Sequence, residues 1–168
     1  HMEASIMRTR HFPKFSVSAA LVYFTLAQCT PPARAATAVW NSGWSGGDNG
    51  GLPDSNDDVV IRAGDLDWNP ATLPDTVASW TQEAGYGGTV TIWTKYPGVG
   101  AFTNLTITGD CVISNGTWTQ LNDNNDTGAP WDQYSRLCVT IGGALHMTSG
   151  AVISGNGRGY NNGKGPGG

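Results

Sequence analysis

Asp123, Asn125, Thr127 and Gly128 form the opening of a D-x-N-x-T-G sequence. Alternate side-chain oxygens converge in such a loop and the glycine allows a sharp turn, which is the chemistry of a calcium site. The twelfth position is Tyr134 rather than a bidentate glutamate, so the expectation is an irregular calcium site drawing on Asp126 or Asp132. Asp54, Asn56 and Asp58 offer a second alternating set. Asp65 and Asp67 alternate beside Trp68, and two carboxylates about 5 to 10 Å apart are what a glycosidase requires; the plainer reading is a solvated turn. Glu83 stands alone, Asp110 and Arg136 have no spacing to recommend them, and His146 lies between Leu145 and Met147 in an alternating strand. No catalytic residue is assigned, and if the chain is an enzyme, Asp65 and Asp67 are the pair to test.

The aromatic residues carry a different chemistry. Trp40, Trp44, Trp68, Trp93, Trp118 and Trp131 are many indoles for the thin core of a small domain, and flat indoles on a β face stack well on sugar rings. The competing reading packs them under loops and over the end of the core. Thr89/Thr91, Thr106/Thr108 and Thr117/Thr119 are Thr-x-Thr pairs of the kind found on flat ice-binding faces, although threonine is in any case a good outward strand residue.

Cys111 and Cys138 occur in the similar settings Cys-Val-Ile and Cys-Val-Thr-Ile. At equivalent places on neighbouring turns of a coil their Cα atoms would lie about 4.8 Å apart, within disulfide reach, and the bridge would contribute about 3 kcal/mol. The alternative is two separate buried thiols. A metal site with His146 lacks a Cys-x-x-Cys pair or a second nearby histidine.

These residues must be positioned by short strands. Residues 1–6 read as a cloning remnant and 7–35 as a secretory signal peptide: Arg8, Arg10, His11 and Lys14 precede an apolar run from Phe15 to Ala27, and Ala33-Arg34-Ala35 is a processing site. The run is shorter than the roughly 20 apolar residues of a membrane span. The leader holds four of nine basic residues and one of thirteen acids, leaving twelve acids against five bases, a surface that repels phosphate backbones and argues against nucleic acid. All seven tryptophans and all 24 glycines follow the leader, which suits an exported β-rich domain.

Val59-Val60-Ile61, Val90-Thr91-Ile92, Leu105-Thr106-Ile107 and Val139-Thr140-Ile141 repeat one branched-apolar unit. Glycine-rich corners separate these runs, residues 65–74 read as a turn, and no stretch of ten or more residues has helical period. The expected domain, residues 36–154, is therefore all-β, either a solenoid of degenerate stacked repeats or a β-sandwich. Residues 155–168 read as a glycine-rich tail or linker, and the tract running to Gly168 reads as part of a longer protein.

Trp40-Asn41-Ser42-Gly43-Trp44, then Pro53-Asp54-Ser55-Asn56-Asp57-Asp58-Val59-Val60-Ile61, Leu105-Thr106-Ile107, Val152-Ile153-Ser154 and a Gly-Asn-Gly-Arg-Gly-Tyr tract together resemble the start of large bacterial secreted β-helix proteins of the autotransporter-like and adhesin-like kind. The resemblance covers most of the chain after the leader and implies a right-handed parallel β-helix used as an extracellular or cell-surface scaffold; it carries no catalytic residue onto this chain. The expected function is attachment to a cell surface or to extracellular polysaccharide by aromatic stacking, with calcium-ordered loops. The rival is the first part of a polysaccharide-cleaving glycosidase or lyase; the remaining readings are a purely structural and an ice-binding solenoid.

Overall fold

The structure is a computed structural model that describes residues 35–159 apart from 99, 101 and 123–133. The leader, Trp131, the calcium loop with Asp123, Asn125, Thr127 and Asp132, and the tail beyond 159 lie outside the described residues. The described chain is all-β, as expected. Its strands are β1 (Thr37–Asn41), β2 (Trp44–Ser45), β3 (Asp58–Ala63), β4 (Leu66–Trp68), β5 (Thr76–Val77), β6 (Ser79–Gln82), β7 (Thr89–Ile92), β8 (Leu105–Ile107), β9 (Cys111–Gln120), β10 (Val139–Ile141) and β11 (Leu145–Ile153). No helix among the described residues is long and apolar enough to cross a membrane.

The larger sheet runs β2-β1-β3-β6-β9-β7-β4, with β11 also on β9, and the smaller runs β10-β8-β5. The larger sheet is mixed: β2 lies antiparallel to β1, and the other strand ladders are parallel. Because side chains alternate across a strand, in-register parallel pairing turns the repeated apolar positions into columns. Ala38, Val59, Trp80, Cys111 and Leu145 follow one another on adjacent strands, as do Trp40, Ile61, Gln82, Ile113 and Met147. Leu66, Val90, Trp118 and Ile153 form a third column, and Val77, Ile107 and Ile141 a fourth. Most of these side chains are buried. The first three columns end at β11, where Leu145, Met147 and Ile153, with Val152 beside them, are 42–47% exposed.

The corner between β10 and β11 explains the Gly142-Gly143 pair. The amide of Gly109 donates to Ala78 O at 2.7 Å, and that of Gly143 donates to Gly109 O at 2.9 Å. A Cβ on Gly142 would come within 2.4 Å of Thr108 O, so the backbones approach too closely there for a side chain.

One expectation is corrected. The 65–74 turn contains β4, whose Leu66 and Trp68 are buried while Asp67 between them is exposed. β9 runs unbroken through Asn115-Gly116, a pair that elsewhere marks a hairpin. Here Gly116 takes φ 86° inside a strand whose first half pairs with β6 and whose second half pairs with β7. β11 is likewise continuous, with a register shift between Met147 and Gly150.

Candidate functional site

The indoles divide into two groups. Trp68, Trp80 and Trp118 are buried, so Trp68 and Trp118 are core residues rather than the exposed sugar platforms expected of them. Trp40, Trp44 and Trp93 are half-buried against the core. Successive ring centroids lie 5.3 Å apart from Trp40 to Trp44, 5.9 Å to Trp68, 5.0 Å to Trp80 and 5.4 Å to Trp118, with tilted or edge-on planes. Edge-to-face packing places the positive rim of one ring on the negative face of the next, and this accommodates the indoles that a thin core was expected to reject.

Trp80, absent from the candidate aromatics, stands in this series between Trp68 and Trp118. It depends on Gln82, the buried polar residue two places along the same face. Trp80 Nε1 donates to Gln82 Oε1 at 3.2 Å, Trp118 Nε1 donates to the same oxygen, and Gln82 Nε2 donates to Asn115 O at 2.9 Å. Trp68 Nε1 donates to Pro74 O at 2.9 Å. At the outer end Trp40 and Trp44 are direct cross-strand partners on β1 and β2, and Trp40 Nε1 donates to Gly64 O at 3.3 Å in an exposed setting.

Asp65 and Asp67 are both exposed. Asp65 Oδ1 accepts the backbone N–H of Thr89 at 2.8 Å, joining the start of β4 to β7, while Asp67 points outward from β4 and is exposed. Asp65 bears on Tyr86, whose phenol is pushed up to about 12, first by burial and then by that negative charge.

The expected disulfide is overturned: Cys111 and Cys138 are both free. Their similar sequence settings are not equivalent in register. Cys111 opens β9 and its partners on the neighbouring strands are Trp80 and Leu145. Cys138 immediately precedes β10 of the smaller sheet, where its backbone N–H donates to Thr94 Oγ1 at 3.0 Å. Burial pushes the Cys111 thiol up to about 12, so at neutral pH it is a protonated, unreactive core group.

A set of carboxylates that spacing did not single out comes together in the loop between β2 and β3. Asp48, Asp54 and Asp57 bring one oxygen each within 4.8 Å of one another. Asp48 is exposed, Asp54 is half-buried and Asp57 is fully buried. Asp57 Oδ2 accepts the backbone N–H groups of Asp54 at 3.0 Å and Asp48 at 3.4 Å. The alternating Asp54, Asn56, Asp58 set does not converge in the same way: Asp58 Oδ1 accepts the Ser79 hydroxyl at 2.5 Å, and Asn56 is exposed. The antiparallel bridges Gly47↔Gly51 and Asn49↔Leu52 fold Asp48 back toward Asp57, a contact that no local periodicity announces.

Comparisons with models of protein families, with curated proteins and with solved structures found no match for this chain.

Proposed function

We propose that the chain is an extracellular or cell-surface attachment module built as a right-handed parallel β-helix, and that it holds polysaccharide on the Trp40–Trp44 pair. The architecture is supported by the parallel ladders, which join strands distant in sequence, whereas a sandwich is built from antiparallel hairpins. The handedness follows from the general rule for parallel crossovers. The antiparallel β2 is a short flap on β1.

The observation that carries the binding role is the pair of neighbouring, half-buried indoles, 5.3 Å between centroids, at the β1–β2 edge. An indole fixed on one side by the core and open on the other loses little conformational freedom when a sugar ring stacks on it. The wider expectation of several exposed platforms narrows to this edge, because Trp68 and Trp118 are enclosed.

Retention of the full chain on amorphous cellulose, chitin and insoluble xylan tests this reading. The expected result is retention on at least one of them without release of reducing ends, and about tenfold weaker retention for Trp44→Ala, equivalent to about 1.4 kcal/mol. Trp93→Ala is expected to bind as the wild type does. Equal retention by Trp44→Ala, or no retention on any of the three, would overturn the role of the pair. Release of reducing ends abolished by Asp65→Ala or Asp67→Ala would establish the enzymatic rival instead.

A further inference from the structure

We infer that Asp48, Asp54 and Asp57 form a site for one calcium ion that ties the loop after β2 to the start of β3. An acidic cluster alone is common on protein surfaces. What distinguishes this one is Asp57, whose residue is 0% exposed and whose Oδ1 is buried with no hydrogen-bond partner among the described residues. A buried carboxylate oxygen without a donor is unfavourable in an otherwise satisfied fold. The other oxygen, Oδ2, is occupied by the amides of Asp48 and Asp54, so the carboxylate is held in place while one of its oxygens remains available.

The neighbours of that carboxylate are two more carboxylates, which worsens the electrostatics unless positive charge lies among them. No cationic side chain supplies it: among the described residues the ion pair is Arg62 with Glu83. Three carboxylates with an oxygen from each inside 4.8 Å match a hard divalent cation, which binds oxygen and is held by charge. Calcium is favoured over magnesium because its coordination tolerates irregular geometry at about 2.3–2.6 Å, whereas magnesium demands a near-ideal octahedron. The ligands come from an irregular loop, where exact octahedral placement is the harder arrangement to achieve. The ion would cross-link the chain on both sides of residues 49–53 and so hold β2, with Trp44, against β1.

The test is calcium titration of the full chain after chelator treatment, read by calorimetry and by the unfolding midpoint. The expected result is one calcium ion per chain and a rise of about 8 °C when free calcium is about a hundredfold above its dissociation constant. Magnesium at the same concentration is expected to give a smaller rise. Asp57→Asn and, separately, Asp48→Asn are expected to abolish both signals, and Asp123→Asn to leave them unchanged. Should Asp57→Asn fail to fold, the exposed Asp48 decides. Unaltered binding by Asp48→Asn, an equal response to magnesium, or the absence of heat and of a shift in the wild type would each overturn the assignment. Glycan retention is not a readout here, so the cation site and the indole platform fail or stand separately.

Discussion

Replacing Gln82 with leucine is expected to destabilise the domain by about 3 kcal/mol, a fall in unfolding midpoint of about 10 °C. Leucine has a comparable volume and greater hydrophobicity, so a simple core position would tolerate it. Gln82 is different because its Oε1 receives the N–H groups of both Trp80 and Trp118, and its Nε2 satisfies Asn115 O. Leucine leaves two buried indole donors and a carbonyl without partners, each costing about 1–3 kcal/mol before relaxation. Relaxation and coupling within the network keep the total below the sum. Thermal unfolding of Gln82→Leu, Trp118→Phe and the double variant measures this. The double variant is expected to lose less than the two single losses added together, because the phenylalanine removes one of the orphaned donors. Strict additivity would mean that the glutamine and the indole do not interact.

The second large effect is expected at Gly116. A Cβ there would lie 2.5 Å from Tyr86 Cδ1 and 2.7 Å from Cε1, and the backbone sits at φ 86°, where a β-branched residue is strained. Gly116→Val therefore combines overpacking against a buried ring with backbone strain. The expected loss is about 4 kcal/mol, with Gly116→Ala losing about 2 kcal/mol. Gly87 supplies the comparison. Its added Cβ would meet nothing within 4 Å and its φ is not positive, so Gly87→Ala is expected to stay within about 0.5 kcal/mol of the wild type. Denaturant unfolding of the three variants checks the ordering. Equal losses at Gly116 and Gly87 would show that close backbone approach to Tyr86 is not what selects glycine in β9.

Both effects arise in the interior, whose strands are legible in the residues only in part. The strands around Val59-Val60-Ile61, Val90-Thr91-Ile92, Leu105-Thr106-Ile107 and Val139-Thr140-Ile141 were legible because two-residue alternation is a local signal, and all four occur as strands. β4 was not. Its three residues are enclosed by Asp65 and Asn69-Pro70, and Leu66 and Trp68 acquire their inward role only from pairing with Val90 and Ile92. The same dependence on register separates the two cysteines. Cys111 and Cys138 share a local pattern, but the residue that pairs with Cys111 on the next strand is Leu145.

The candidate sites were less legible still. A count of tryptophans cannot distinguish an outer platform from an edge-to-face column, because the difference lies in ring angles set by neighbouring strands. Nor does the sequence mark Gln82 as the acceptor shared by two indoles that are distant along the chain. The carboxylates show the same limit. Alternation drew notice to Asp54, Asn56 and Asp58, whereas convergence selects Asp48, Asp54 and Asp57, because the backbone bridges at Gly47 and Asn49 fold the loop back on itself.

The division of the indoles into a sealed interior and an open edge is the claim on which the functional reading turns, and hydrogen exchange of the indole N–H groups tests it most directly. The N–H groups of Trp80 and Trp118, bonded inside the core, are expected to exchange only with global unfolding. That of Trp40, bonded to Gly64 O in an exposed setting, is expected to exchange orders of magnitude faster. Exchange at Trp80 or Trp118 as fast as at Trp40 would contradict the account.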